Sequence, residues 1–178
     1  MIKVKLSMPL AQMKLVTPQM MRVVALDSIA LIRERTVSGL DVNGQPFKPY
    51  STKPIYVQNT RFPRPRGGQP AGKSTFYQGG YKEYKELSRE PGKVGPRRNK
   101  KAKGPTAEVD LTLTGLMLNS IQVTKILSTG YILEVIGKAG KYAGYVNAKR
   151  EFMGLTIPEQ RMIAESFDEQ IAKQLRGR

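Results

Sequence analysis

The octapeptide Gly67-Gly68-Gln69-Pro70-Ala71-Gly72-Lys73-Ser74 matches the phosphate-loop pattern G-x-x-x-x-G-K-S. Such a loop works when a buried strand delivers it to a helix N-terminus, whose amides then cradle phosphate oxygens. Here Arg61-Phe62-Pro63-Arg64-Pro65-Arg66 precedes it, and prolines exclude a central strand. Gly79 and Gly80 follow too soon for a good helix. Val23-Val24-Ala25-Leu26-Asp27 imitates the companion acidic strand, but it lies upstream and inside a helical pattern. A second match, Glu83-Tyr84-Lys85, carries the E-x-K end of a metal-dependent nuclease signature, which needs a further Asp to share the metal. Asp41 and Asp110 have no spacing that recommends them, and Lys/Glu alternation on a helix explains the tripeptide better. The chain has no His and no Cys, so the usual general base, zinc ligands and thiol nucleophile are missing together. The expectation is a non-enzymatic protein with no cofactor and no metal.

Charge is the other chemical resource. From Arg61 to Lys103 thirteen Lys and Arg oppose three Glu, a local net charge of +10 within a chain total of +16. A stretch of this kind needs counter-charges or water. Its Arg-rich ends carry Arg61, Arg64 and Arg66 on one side and Arg97, Arg98, Lys100, Lys101 and Lys103 on the other. These are the candidate contacts to phosphates, including double-stranded DNA, or to an acidic protein surface. Tyr77, Tyr81 and Tyr84 are candidates for stacking on bases, although their spacing matches no known platform. No apolar run reaches the length of a signal peptide or membrane span, which predicts a cytoplasmic protein with no membrane partner.

The elements that must position these groups follow from periodicity. Ile2, Val4 and Leu6 alternate with Lys3, Lys5 and Ser7, predicting a half-buried strand that Pro9 ends. Thr17-Pro18 reads as N-cap and first helical residue, with Met21, Val24, Ala25, Ile29 and Ile32 at helical spacing and Ser38-Gly39 as the stop. Asn43-Gly44 marks a turn. Nine of the twelve prolines fall between Pro46 and Pro105, predicting an extended arm with weak helical character over Tyr77 to Arg89. Asp110 to Ile121 reads as a short helix capped by Thr112 or Thr114, burying Leu113, Leu116, Met117 and Ile121. Ile121 to Leu127 and Gly130 to Gly137 read as a β-hairpin through Ser128-Thr129-Gly130. Tyr142 to Asn147 is a turn or short helix. Thr156, Pro158 and Glu159 then open a helix in which Ile163, Phe167, Ile171 and Leu175 recur every four residues as a core or oligomer-packing stripe.

Several of these pieces, in order, resemble the virion-morphogenesis proteins of tailed bacteriophages, the neck or tail-completion family. Ile32-Arg33-Glu34-Arg35-Thr36 closes an amphipathic first helix. Asp41 to Ser51 resembles D-x-x-G-x-x-[WF]-x-P-[LY]-S, and Asp110 to Ile121 resembles L-x-x-T-G-x-[LM]-x-x-S-I. Lys141 to Asn147 and Arg150 to Thr156 resemble Y-A-x-x-x-N…R-x-F-[LM]-G-L-[ST]. Val146-Asn147 stands where many members carry His, and the basic arm is longer than the family pattern. The Thr-Gly pair suits a helix N-terminus, and Arg150 to Leu155 suits a strand ending at the last helix cap. The resemblance implies a structural protein that forms a hexameric or dodecameric ring in the virion. That ring would join the tail terminator to the head connector or adaptor around the DNA channel, after assembly in the host cytoplasm.

Together these readings predict an α+β fold: a small, mainly antiparallel sheet flanked by N- and C-terminal helices, with a long basic loop insertion. One domain would comprise residues 1–59, an arm at 60–105, and residues 106–178. The alternative is a nucleic-acid-binding accessory protein that uses the arm.

Overall fold

Thr17 leaves its backbone extended and accepts the amide of Met20 at 3.2 Å, so that Pro18, which has no amide to lose, opens the helix α1 (Pro18–Val37). The computed structural model of which this helix is part describes residues 3–7, 16–58, 74–87, 109–112, 115–127 and 129–176. Among them, helices and two antiparallel sheets make an α+β fold. The chain divides into two compact units, residues 1–47 with 110–178, and residues 48–109.

In the first unit a three-stranded sheet has the order β1 (Lys3–Ser7), β5 (Gly130–Val135), β4 (Ile121–Leu127), all antiparallel. The register pairs Val4 and Val123 with Leu133, and Ile121 with Val135. Because side chains alternate across a strand, Tyr131, Leu133 and Val135 project to one face. There α1 lies against β4 and β5, bringing Met21, Val24, Ala25 and Ile32 to the core. A register shift between Val123 and Lys125 bulges β4 and increases its twist. Helix α4 (Gly137–Lys149) follows β5, and helix α5 (Ile157–Arg176) packs on α1.

In the second unit β2 (Ile55–Gln58) pairs antiparallel with β3 (Ser74–Tyr77), followed by helix α2 (Gly80–Leu87). Gly80 has φ +69°, and a Cβ there would stand 2.4 Å from the Lys53 carbonyl, which fixes glycine at this close approach. The strand β3 corrects the expectation of an arm whose sole regular structure is a weak helix. Thr75, Phe76 and Tyr77 are strong strand formers, and Ile55-Tyr56-Val57 supplies the complementary edge.

Two further expectations are corrected. The helix expected from Asp110 is confined to α3 (Leu116–Asn119), entered through Gly115 in the left-handed conformation without a side-chain cap. Thr112 turns back instead, donating its amide and hydroxyl to the Asp110 carboxylate at 3.1 and 2.7 Å. Leu113 and Thr114 lie outside the described residues; Met117 and Leu118 are buried, Leu116 is exposed, and Ile121 is buried as the first residue of β4. The strand expected over Arg150 to Leu155 is an irregular segment, because its amides and carbonyls are taken by side chains rather than by a neighbouring strand.

Candidate functional site

Arg35 falls on the buried face of α1, three residues after Ile32, and retains 7% exposure. Its Nη1 pairs with the Glu159 carboxylate, while Nη2 donates to the carbonyls of Phe152 (2.7 Å) and Gly154 (2.9 Å). Glu159 also accepts the Thr156 amide at 2.7 Å, and Thr156 Oγ1 accepts the Glu159 amide at 3.2 Å. This reciprocal pair is a capping box that opens α5. From the other side Asn147 Oδ1, on α4, accepts the amides of Phe152 (3.0 Å) and Met153 (2.9 Å). The turn after α1 joins the same cluster. Asp41 Oδ1 accepts the amides of Asn43 and Gln45, and the Val42 amide donates to the Glu151 carbonyl at 3.0 Å. Residues 150–156 are thereby held from α1, α4, α5 and the 41–45 turn at once. With its charges paired and buried, this cluster acts as an architectural joint.

A groove of about 410 Å³ lies on the outer side of α1, between Arg22, Leu26, Ala30 and Arg33 and the residues Ile121, Gln122 and Val123 of β4. Leu26 is 54% exposed there. Arg33 anchors the groove wall by donating from Nε to the Leu118 carbonyl at 2.9 Å and from Nη2 to the Ile121 carbonyl at 3.3 Å. On α5 the residues Met162, Glu165, Asp168 and Glu169 are exposed. The first unit thus carries a basic-rimmed apolar groove and, separately, an α5 surface of mixed charge on which Arg161, Lys173 and Arg176 are exposed beside the three carboxylates.

In the second unit the tyrosines pack on one another. Tyr50 and Tyr81 lie edge to face at 5.2 Å and Tyr77 and Tyr84 at 5.3 Å, while Tyr81 and Tyr84 are tilted at 5.8 Å. Lys85 donates to the Tyr50 hydroxyl and stands 4.2 Å from that ring's centroid. Burial pushes the Tyr77 phenol above its ordinary range, Glu83 adds to the shift, and a hydrogen bond with Thr75 opposes it. On the other face of the hairpin Tyr56 and Phe76 stand in solvent, with ring centroids 4.9 Å apart.

The sequence candidates distribute as follows. Arg61, Arg64, Arg66, Arg97, Arg98, Lys100, Lys101 and Lys103 lie outside the described residues. Of the α5 stripe, Ile163 and Phe167 are buried, Ile171 is half-buried and Leu175 is 53% exposed, so within the single chain core packing belongs to its first half. Of the phosphate-loop match, residues 67–73 lie outside the described residues; Ser74 opens a strand where the chemistry needs a helix N-terminus, and Val23 to Asp27 are helical. Glu83 is taken by the Gly79 amide at 2.7 Å, at the start of α2. Among the described residues no three His, Cys, Asp or Glu side chains gather as a metal site, and no helix is long and apolar enough to cross a membrane. Sequence reasoning missed Asn147 as a cap and Arg35 as a buried ligand of the 150–156 segment. Arg35 was legible in principle, since its position continues the apolar period of α1.

The chain matches no family model, no curated protein and no solved structure.

Proposed function

We propose that this chain is a structural protein of a tailed-bacteriophage virion. It would form a ring at the head–tail junction that joins tail terminator to head connector around the DNA channel. The observation that carries this reading is the convergence on residues 150–156. The end of α1, the Asp41 turn, and the Asn147 and Arg150-to-Thr156 segments each resemble the neck and tail-completion family in sequence. They meet in one hydrogen-bonded cluster. Scattered residues with no common role would have no reason to do so.

The surface of the first unit supports the ring. The groove rimmed by Arg22 and Arg33 leaves Leu26 exposed, and α5 presents exposed Met162 among charges of both signs, so each offers an apolar spot with a polar rim to a neighbouring subunit. A contact between unlike faces of identical subunits propagates head to tail and closes when its rotation permits. The basic residues of the 48–109 segment would then reach an acidic neighbour or the DNA in the channel.

Imaging of particles produced without this protein tests the reading. Full heads and complete but separate tails are expected. Normally joined particles would refute it, as would a protein that remains monomeric at high concentration and is missing from purified virions.

A further inference from the structure

We propose that Tyr56 and Phe76 form a stacking platform for unpaired nucleobases, which makes the 48–109 unit a binding element for single-stranded nucleic acid. The two rings face each other across the β2–β3 ladder as register partners, 4.9 Å apart and tilted by 46°. They are 73% and 50% exposed. The same hairpin uses its opposite face differently: Tyr77, one residue from Phe76, packs on Tyr84, and Tyr84 packs on Tyr81. The unit therefore has its own aromatic cluster and still leaves two further rings in water.

The surroundings select the occupant. On β3 and just beyond it, Ser74 and Gln78 are exposed at positions that alternate with Phe76, so among the described residues the two rings, with Pro54 beside Tyr56, form a small apolar island flanked by hydrogen-bonding groups. A protein interface core needs a larger apolar patch. A nucleobase needs a ring face to stack on, and polar groups near its edges. Charge agrees, because residues 48–109 carry fifteen Lys and Arg against four Glu, a net +11 suited to a phosphate backbone. A duplex hides its base faces inside the stack, so the platform discriminates for single strands. The tilt between the rings lets each take its own base rather than extend one continuous stack. This inference goes beyond the virion role and does not rest on it.

The test is fluorescence anisotropy of the full chain with a labelled oligothymidylate, against a strand of the same length with abasic sugars. The wild type should hold the base-bearing strand at least about tenfold more tightly. The double variant Tyr56→Leu/Phe76→Leu keeps strand-compatible apolar side chains without π faces. It should bind both strands with the affinity of the wild type for the abasic one, and with an unchanged salt dependence. Tyr56→Phe should behave as wild type, and circular dichroism should show both variants folded. Equal wild-type affinity for the two strands would overturn the proposal, leaving charge as the whole of the binding. So would a double variant that retains the preference, or one that binds nucleic acid normally but fails to bind a protein partner.

Discussion

Arg35 and Glu159, separated by 124 positions in the chain, form a buried ion pair that ties the end of α1 to the first turn of α5. The pair is embedded in other bonds. Arg35 also serves two carbonyls of residues 150–156, and Glu159 also serves the Thr156 amide. Removing one partner strands the other in a buried site. Arg35→Ala should therefore destabilise the first unit by about 3–5 kcal/mol in urea denaturation. Arg35→Lys should recover little, because a single ammonium lacks the planar fork that meets a carboxylate and two carbonyls together. A loss below about 1 kcal/mol, the range of exposed pairs, would show that the joint is solvated.

Asn147 acts through a single oxygen. Both bonds to the 152–153 amides are accepted by Oδ1, so the amide nitrogen is dispensable for them. Asn147→Ala should cost about 1–3 kcal/mol by leaving two amides without their acceptor. Asn147→Asp preserves the acceptor and should cost clearly less. Equal losses would mean that the side-chain nitrogen carries the effect.

Elements whose signal is local were legible in the sequence. The Thr17-Pro18 start of α1, the Val4/Lys3/Lys5 alternation, the β4–β5 hairpin and the Thr156/Glu159 cap all follow from neighbouring residues, and each forms as read. What depends on distant partners was not. The pairing of Ile55–Gln58 with Ser74–Tyr77 spans residues 59–73, and proline density in the surrounding chain masked two short β-forming runs. Arg150 to Leu155 has the composition of a strand, yet among the described residues no strand pairs with it, and Arg35 and Asn147 bond its backbone instead. Tyr56 and Phe76 become a pair through register alone.

Gly80 tests whether the two units are energetically separate. Its φ of +69° disfavours any side chain, and an added Cβ would meet the Lys53 and Ser51 carbonyls at 2.4 and 2.7 Å. The left-handed backbone alone costs a non-glycine residue about 1–2 kcal/mol. Gly80→Ala should accelerate amide exchange in β2, β3 and α2 while leaving β4 and β5 as protected as in the wild type. Uniform loss of protection across both sheets would show that they unfold together.

Tyr131 makes alkaline stability depend on pH. It is fully buried, and burial pushes its phenol above the ordinary value of 10.0; the hydrogen bond with Ser28 opposes that shift, and Asp27 adds to it. The folded chain therefore holds this proton more tightly than the unfolded chain does. Its contribution is complete below the unfolded value of about 10 and is lost as pH rises through the higher folded value. Tyr131→Phe forfeits the hydrogen bond, about 1 kcal/mol at neutral pH, but has no proton to lose. The melting temperatures of wild type and variant should thus converge as pH rises above about 10. A constant gap between them across that range would mean that Tyr131 stays protonated in both folded and unfolded chains, or ionises in both alike.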